Sequence, residues 1–247
     1  LIIENDDQLT KLREIGGICR DVLAAMGALV RPGITGAELD EMAGKMLFGA
    51  GATSAPILAY EFPGHTCISV GEAIAHGVPN EVPFPEGTLV NIDVSAAKDG
   101  FFGDTGASFA VGDITPDKHA LLKATKDTQR RAMYQARAGA KINTVGRVIS
   151  READKHKLRV VRGLHSHGVG AWIHEEPDIP PVYQPSLREK FQLGQVVTIE
   201  PFLASKSTGY YEDADDGWTL WLNNGGYAAQ YEHTFVITKS APIVLTA

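Results

Sequence analysis

The seven residues Gly87-Thr-Leu-Val-Asn-Ile-Asp93 resemble, position for position, Gly194-Gln-Val-Val-Thr-Ile-Glu200, at an offset of 107 residues. A second match stands at nearly the same offset: Ile34-Thr35 follows one helical segment and opens another, and Ile142-Asn143 does so 108 residues later. Two coincident offsets imply a duplicated unit of about half the chain, far longer than a solenoid repeat. The duplication predicts two halves related by a pseudo-two-fold axis, with Asp93 and Glu200 facing each other between them. A chain of 247 residues can bury one large core or two small ones. The repeat makes it a single domain, residues 1–247, with halves of approximately 1–112 and 113–247.

Local patterns place the elements. From Asp6 to about Gly27 the apolar positions Leu9, Leu12, Ile15, Ile18, Cys19, Val22 and Leu23 recur at three- and four-residue steps, which predicts an amphipathic helix. Thr35-Gly-Ala-Glu38 is a capping box and predicts a second helix. Further helices are expected from about Pro116 to Ala138 and from Ile142 to about Lys155. Short segments rich in β-branched and aromatic residues predict strands at 67–70, 88–96, 101–111, 196–203, 218–222 and 229–237. Pro177 to Pro185 and the acidic run Glu212 to Asp216 read as surface loops.

Composition removes several classes of function. No stretch approaches the roughly 18–20 apolar residues of a membrane span, and the first residues lack the pattern of a signal peptide. A soluble, cytoplasmic protein is expected. Cys19 and Cys67 are too few for a disulfide framework. With 23 Lys+Arg against 30 Asp+Glu and no basic runs, direct reading of nucleic acid is not expected.

Four of the acids sit where acids are expensive. Asp93, Asp104, Glu200 and Glu232 all lie inside apolar strand patterns, and an unpaired buried carboxylate costs several kcal/mol or takes up a proton. Asp99-Gly100 is a two-residue hairpin signal between the strands of Asp93 and Asp104. It sets Asp93 opposite Gly106 and diagonal to Asp104, both carboxylates on one face, at a spacing too wide for a direct hydrogen bond. No Lys or Arg lies in these strand cores to offset them. Two divalent ions would, with one neutral imidazole completing the shell, and His167, flanked by Gly168, is the candidate.

The strings Ala75-His76-Gly-Val-Pro79, Asn91-Ile-Asp93-Val, Asp99-Gly-Phe-Phe-Gly-Asp104-Thr, His167-Gly-Val-Gly170, His174-Glu-Glu-Pro177, Thr198-Ile-Glu200-Pro201, Asp216-Gly-Trp218-Thr and Gln230-Tyr-Glu232-His-Thr234 resemble, in order and spacing, the signature series of type I methionine aminopeptidases. The resemblance runs from the first helix to the last strand. It implies the α+β pita-bread fold, two pseudo-two-fold-related α/β halves around a central dimetal site. It also implies metal ligation by Asp93, Asp104, His167, Glu200 and Glu232, with Asp104 and Glu232 bridging two ions of Co, Mn, Fe or Zn.

The implied chemistry is removal of the N-terminal methionine of nascent polypeptides by a metal-bridging hydroxide. Glu200 would move the proton, His174 would hydrogen-bond the carbonyl oxygen, and His76 would contact the nitrogen side of the scissile peptide. Phe62, Cys67, Ile173 and Trp218 match the apolar side-chain pocket, which suits a polarizable thioether. Cys67 has no basic neighbour and reads as pocket wall.

Two positions depart from the family. His165-Ser166 stands where Cys-Gly is usual, so that Ser occupies a backbone position suited to Gly, and Ile173 replaces a frequent Phe. His165 reads first as an exposed or core-satisfied histidine, with a third imidazole near the metals as the alternative, and His233 as pointing away from Glu232. An X-Pro aminopeptidase or prolidase-like hydrolase shares the fold and ligands but usually carries a large N-terminal domain. A non-catalytic pita-bread peptide-binding protein typically loses ligands. A monomer is expected, with docking at the ribosome left open.

Overall fold

The computed structural model describes all 247 residues. Asn5 accepts a hydrogen bond from the Gln8 N–H (3.0 Å) and so starts helix α1 (Asp6–Leu29), which buries Leu12, Ile15, Cys19, Val22 and Met26. Helix α2 (Gly36–Gly49) opens on the predicted capping box, Thr35 accepting from the Glu38 N–H (3.1 Å) and Glu38 from the Thr35 N–H (2.8 Å). A six-residue helix, α3 (Ala55–Tyr60), lies outside the periodicity reading, being too short to show a stripe. Helix α4 (Pro116–Met133) ends before the predicted Ala138, and α5 (Asn143–Lys155) follows.

In the first half, strands β1 (Thr53–Ser54), β2 (Cys67–Val70), β3 (Ala73–Ala75), β4 (Leu89–Lys98) and β5 (Phe101–Ala110) precede α4. β4 pairs antiparallel with β5 along one edge and with β2 and β1 along the other. The second half supplies β6 (Arg159–Val160), β7 (Ser166–Gly168), β8 (Glu175–Ile179), β9 (Val196–Ile199), β10 (Phe202–Ala204), β11 (Tyr210–Glu212), β12 (Leu220–Leu222), β13 (Ala228–Gln230), β14 (His233–Val236) and β15 (Ile243–Val244). Five of these form a sheet in the order β15-β14-β9-β7-β8. Two three-stranded sheets, β13-β10-β6 and β11-β12-β3, complete the structure.

Three sequence readings need correction. The segment 196–203 is two strands in different sheets, because Pro201 has no N–H to continue a ladder after Glu200. The segment 229–237 likewise breaks at Tyr231-Glu232. The presumed loops are partly strand: Pro177 lies in β8 and Glu212 ends β11. Asp213 accepts from the Trp221 indole N–H (2.8 Å) and Asp216 from the Trp218 N–H (2.7 Å), so these acids fasten the turn before β12.

One hydrophobic core draws on residues between Ile15 and Val111. The largest draws on residues between Leu121 and Ile237, joined by Leu89. Between them runs a seam in which β5 meets the β13–β14 segment. An isolated bridge pairs Ala107 with Tyr231, and the Glu232 N–H donates to the Gly106 carbonyl (2.8 Å). No helix is long and apolar enough to cross a membrane.

Candidate active site

The β4–β5 hairpin has the register expected from its turn: Lys98 faces Phe101, Ser95 faces Asp104 and Asp93 faces Gly106. Asp99 and Gly100 have φ of 50° and 81°, as a primed two-residue turn requires. Asp93 and Asp104 therefore project from one face. Both carboxyl groups line the same cavity.

The seam adds Glu232. The Thr234 hydroxyl donates to the Asp104 carbonyl (2.7 Å) and accepts from its N–H (3.1 Å), while the Thr105 hydroxyl donates to the Glu232 carbonyl (2.9 Å). Two carboxylates from different halves are thus held by reciprocal backbone bonds. Gln230, fully buried, donates from Nε2 to Glu232 Oε2 (3.1 Å) and accepts at Oε1 from Asn91 Nδ2 (2.9 Å). Gly106 makes room for it, since a Cβ there would lie 2.5 Å from Gln230 Oε1.

His167 sits in β7 with Nδ1 against the Gly168 carbonyl (2.9 Å). A carbonyl only accepts, so Nδ1 carries the proton, and the unprotonated Nε2 turns toward the carboxylates, the form in which an imidazole ligates a cation. Nε2 lies 3.3 Å from Glu200 Oε1 and 3.8 Å from Asp104 Oδ2. Glu200 follows β9, its N–H donating to the Ser166 hydroxyl (2.9 Å).

Electrostatics then test whether this cluster suits a cation. Burial pushes the Asp93 carboxyl up to about 6. It also pushes Asp104, Glu200 and Glu232 well above the usual carboxylate range, and the other carboxylates add to each rise. No Lys or Arg lines the cavity. Asp104 Oδ1 and Glu232 Oε1 are buried without any hydrogen-bond partner, which is rare unless an ion or water belongs there. Asp104, His167 and Glu232 each offer a ligand atom within 4.8 Å of the others. Oxygen donors with one imidazole fit a divalent cation.

The cluster opens on a cavity of about 210 Å³ whose lining includes Asp93, Asp104, His167 and Glu200 together with Phe62, Cys67, Ile173 and Trp218. Cys67 is the strand partner of Asp93. Phe62 meets Trp218 edge-on, centroids 5.2 Å apart. Burial raises the Cys67 thiol well above its ordinary value, as a wall residue and not a nucleophile requires. His76 and His174 also line the cavity. Both rings are reachable from it yet flanked by protein, which lowers His76 and brings His174 down to about 3; His167 and His76 add to the latter effect. Both therefore enter the site as neutral imidazoles.

Pro56, Tyr60 and Ser95 also line the cavity, and none was singled out from the sequence. Pro56 and Tyr60 come from α3, for which Ser54 as cap and Pro56 in the first turn are the sequence signal. His165 pairs with Asp178 (2.6 Å) and is absent from the lining. His233 turns to the Thr246 hydroxyl (3.0 Å). Ser166 corrects one expectation: it lies in extended β7 and not at positive φ, and its hydroxyl takes the Glu200 N–H, so the position does not require glycine.

Metallopeptidase family M24 matches residues 10–239. The chain is 38% identical to a methionine aminopeptidase of Staphylococcus epidermidis, over all of this chain and 98% of the relative. It is 39% identical to methionine aminopeptidase 2 of Bacillus subtilis, covering 99% of it. The solved methionine aminopeptidase of Rickettsia prowazekii superimposes with a TM-score of 0.95 at 30% identity, each chain covered in full. The prolidase of Pyrococcus furiosus, at 20% identity and a TM-score of 0.77, shares the fold, with 65% of its chain covered. With the pita-bread arrangement and a carboxylate–histidine cluster at its centre, the chain belongs to metallopeptidase family M24, among its methionine aminopeptidases.

Proposed function

We propose that this chain is a metal-dependent aminopeptidase that removes methionine from the N-terminus of polypeptides by hydrolysing the first peptide bond. The observation that carries this is one cavity with two chemistries. Cys67, Phe62, Ile173 and Trp218 make an apolar, aromatic-edged wall directly beside the carboxylates. A thioether fits such a wall, and the reacting bond would lie one residue's reach from the cluster.

Asp93, Asp104, His167, Glu200 and Glu232 would hold two divalent ions, of Co, Mn, Fe or Zn. Asp104 and Glu232, each with an unpartnered inner oxygen, would be among the residues that hold them. When bound, such ions supply Lewis acidity and lower the pKa of a water. Glu200 accepts a proton from the attacking water and passes it to the leaving amine. His174 donates a hydrogen bond to the carbonyl oxygen as negative charge builds there. His76 holds the peptide on the nitrogen side of the scissile bond. We further assign residues 1–247 to one catalytic domain made of halves of approximately 1–112 and 113–247, acting as a cytoplasmic monomer on nascent chains.

The test is release of methionine from Met-Ala-Ser beside release from X-Pro peptides, with added Co, Mn or Fe. Metal-dependent release from Met-Ala-Ser alone is expected. Cleavage of X-Pro peptides alone would move the assignment to the prolidase branch, and no metal-dependent release from either would remove both. His174→Ala should lower kcat about a hundredfold; a loss within about twofold would take the oxyanion role away from it.

A further inference from the structure

Tyr60, the last residue of α3, stands at the mouth of the cavity with its hydroxyl hydrogen-bonded to Nδ1 of His174. The two rings lie 5.6 Å apart, inclined at 44°, and the His174 ring also meets His167 edge-on at 4.3 Å. Tyr60 is fixed from below. Ser54 caps α3 and donates to the His65 carbonyl (2.8 Å), Ala55 is fully buried, and Glu61 at φ 57° turns the chain away immediately after Tyr60.

A neutral imidazole carries one proton on one of two nitrogens, and the partner at one nitrogen decides what the other presents. A phenol O–H is a stronger donor than an imidazole N–H, and an imidazole lone pair is a stronger acceptor than a phenol oxygen. The favoured arrangement therefore has Tyr60 donating to Nδ1. We propose that Tyr60 is a positioning residue that fixes His174 as its Nε2–H tautomer, so that the ring offers an N–H and not a lone pair to the carbonyl oxygen of the substrate. Tyr60 touches no reacting atom and acts only through His174, so its catalytic consequence rests on the role assigned to His174 above. The same logic governs histidines held by an outer partner in metal sites, where losing that partner typically costs about tenfold or more.

Tyr60→Phe keeps the ring at the cavity mouth and deletes only the hydroxyl. Imidazole nitrogen NMR of the full chain, with zinc as a diamagnetic ion, should show His174 protonated at Nε2 in the parent and averaged between tautomers in Tyr60→Phe. Turnover of Met-Ala-Ser should fall about tenfold in kcat with KM held within about twofold. In a His174→Ala background the added Tyr60→Phe change should cost nothing further. A parent spectrum with the proton on Nδ1, an unchanged spectrum in Tyr60→Phe, or a full penalty persisting without His174 would each overturn the proposal. Undiminished turnover in His174→Ala alone would instead overturn the role of His174, leaving the tautomer to the spectra.

Discussion

Gly106 has no left-handed backbone to explain it, yet it admits no side chain. Its missing Cβ is filled by the Gln230 amide, which holds Glu232 at one end and Asn91 at the other. Gly106→Ala should displace that amide and loosen Glu232, lowering divalent-metal affinity about tenfold in a calorimetric titration. The candidate ligands are legible in the sequence because a carboxylate within an apolar strand is an anomaly at its own position. Gln230 and Tyr60 are not, since each is placed by a residue distant in the chain: Gln230 by Asn91 and Gly106, Tyr60 by its bond to His174. Ser166 shows the converse error. Family habit suggests a backbone position suited to glycine, whereas the strand conformation accepts any residue and puts the hydroxyl to use on the Glu200 N–H.

At the level of elements, the hairpin between β4 and β5 does most to place the site. Its two-residue turn fixes a period-two register, and that register puts Asp93 and Asp104 on one face. Gly100 has φ 81° with open space around its missing Cβ, so Gly100→Ala meets only backbone strain. It should cost about 1–2 kcal/mol in urea unfolding, with metal content unchanged. Inserting one glycine after Gly100 should do the reverse: if β5 shifts by one residue, Asp104 leaves the face and bound metal is lost in elemental analysis. Helices α1 and α2 were readable from stripe and cap, and β4 and β5 from alternation and turn. The breaks at Pro201 and Glu232 were not, because apolar patterning continues across both points while the chain changes sheets. Helix α3 was too short for any periodicity to register.

Across the molecule, the four central carboxyls couple stability to pH with a definite sign. Each has its folded pKa raised by burial, so each favours the metal-free fold most below its ordinary value of about 4. That contribution is lost as pH rises, through about 6 for Asp93 and well above the usual carboxylate range for the other three. Divalent ions bind the deprotonated forms, so their stabilisation grows over the same range. The gap in Tm between metal-loaded and chelator-stripped protein should therefore widen from pH 5 to pH 8. A gap that narrowed would show that these acids are already charged in the stripped fold.

The seam between β5 and the β13–β14 segment also sets a schedule for the growing chain. Asp93 and Asp104 leave the synthetic machinery well before Glu232, and the strand that locks Asp104 in place carries Thr234, later still. An N-terminal fragment, however well its own core packs, carries two of the five proposed donors and lacks the bonds that hold one of them still. Activity is therefore expected only once translation has passed residue 234, and a ribosome stalled earlier should display an inert nascent product.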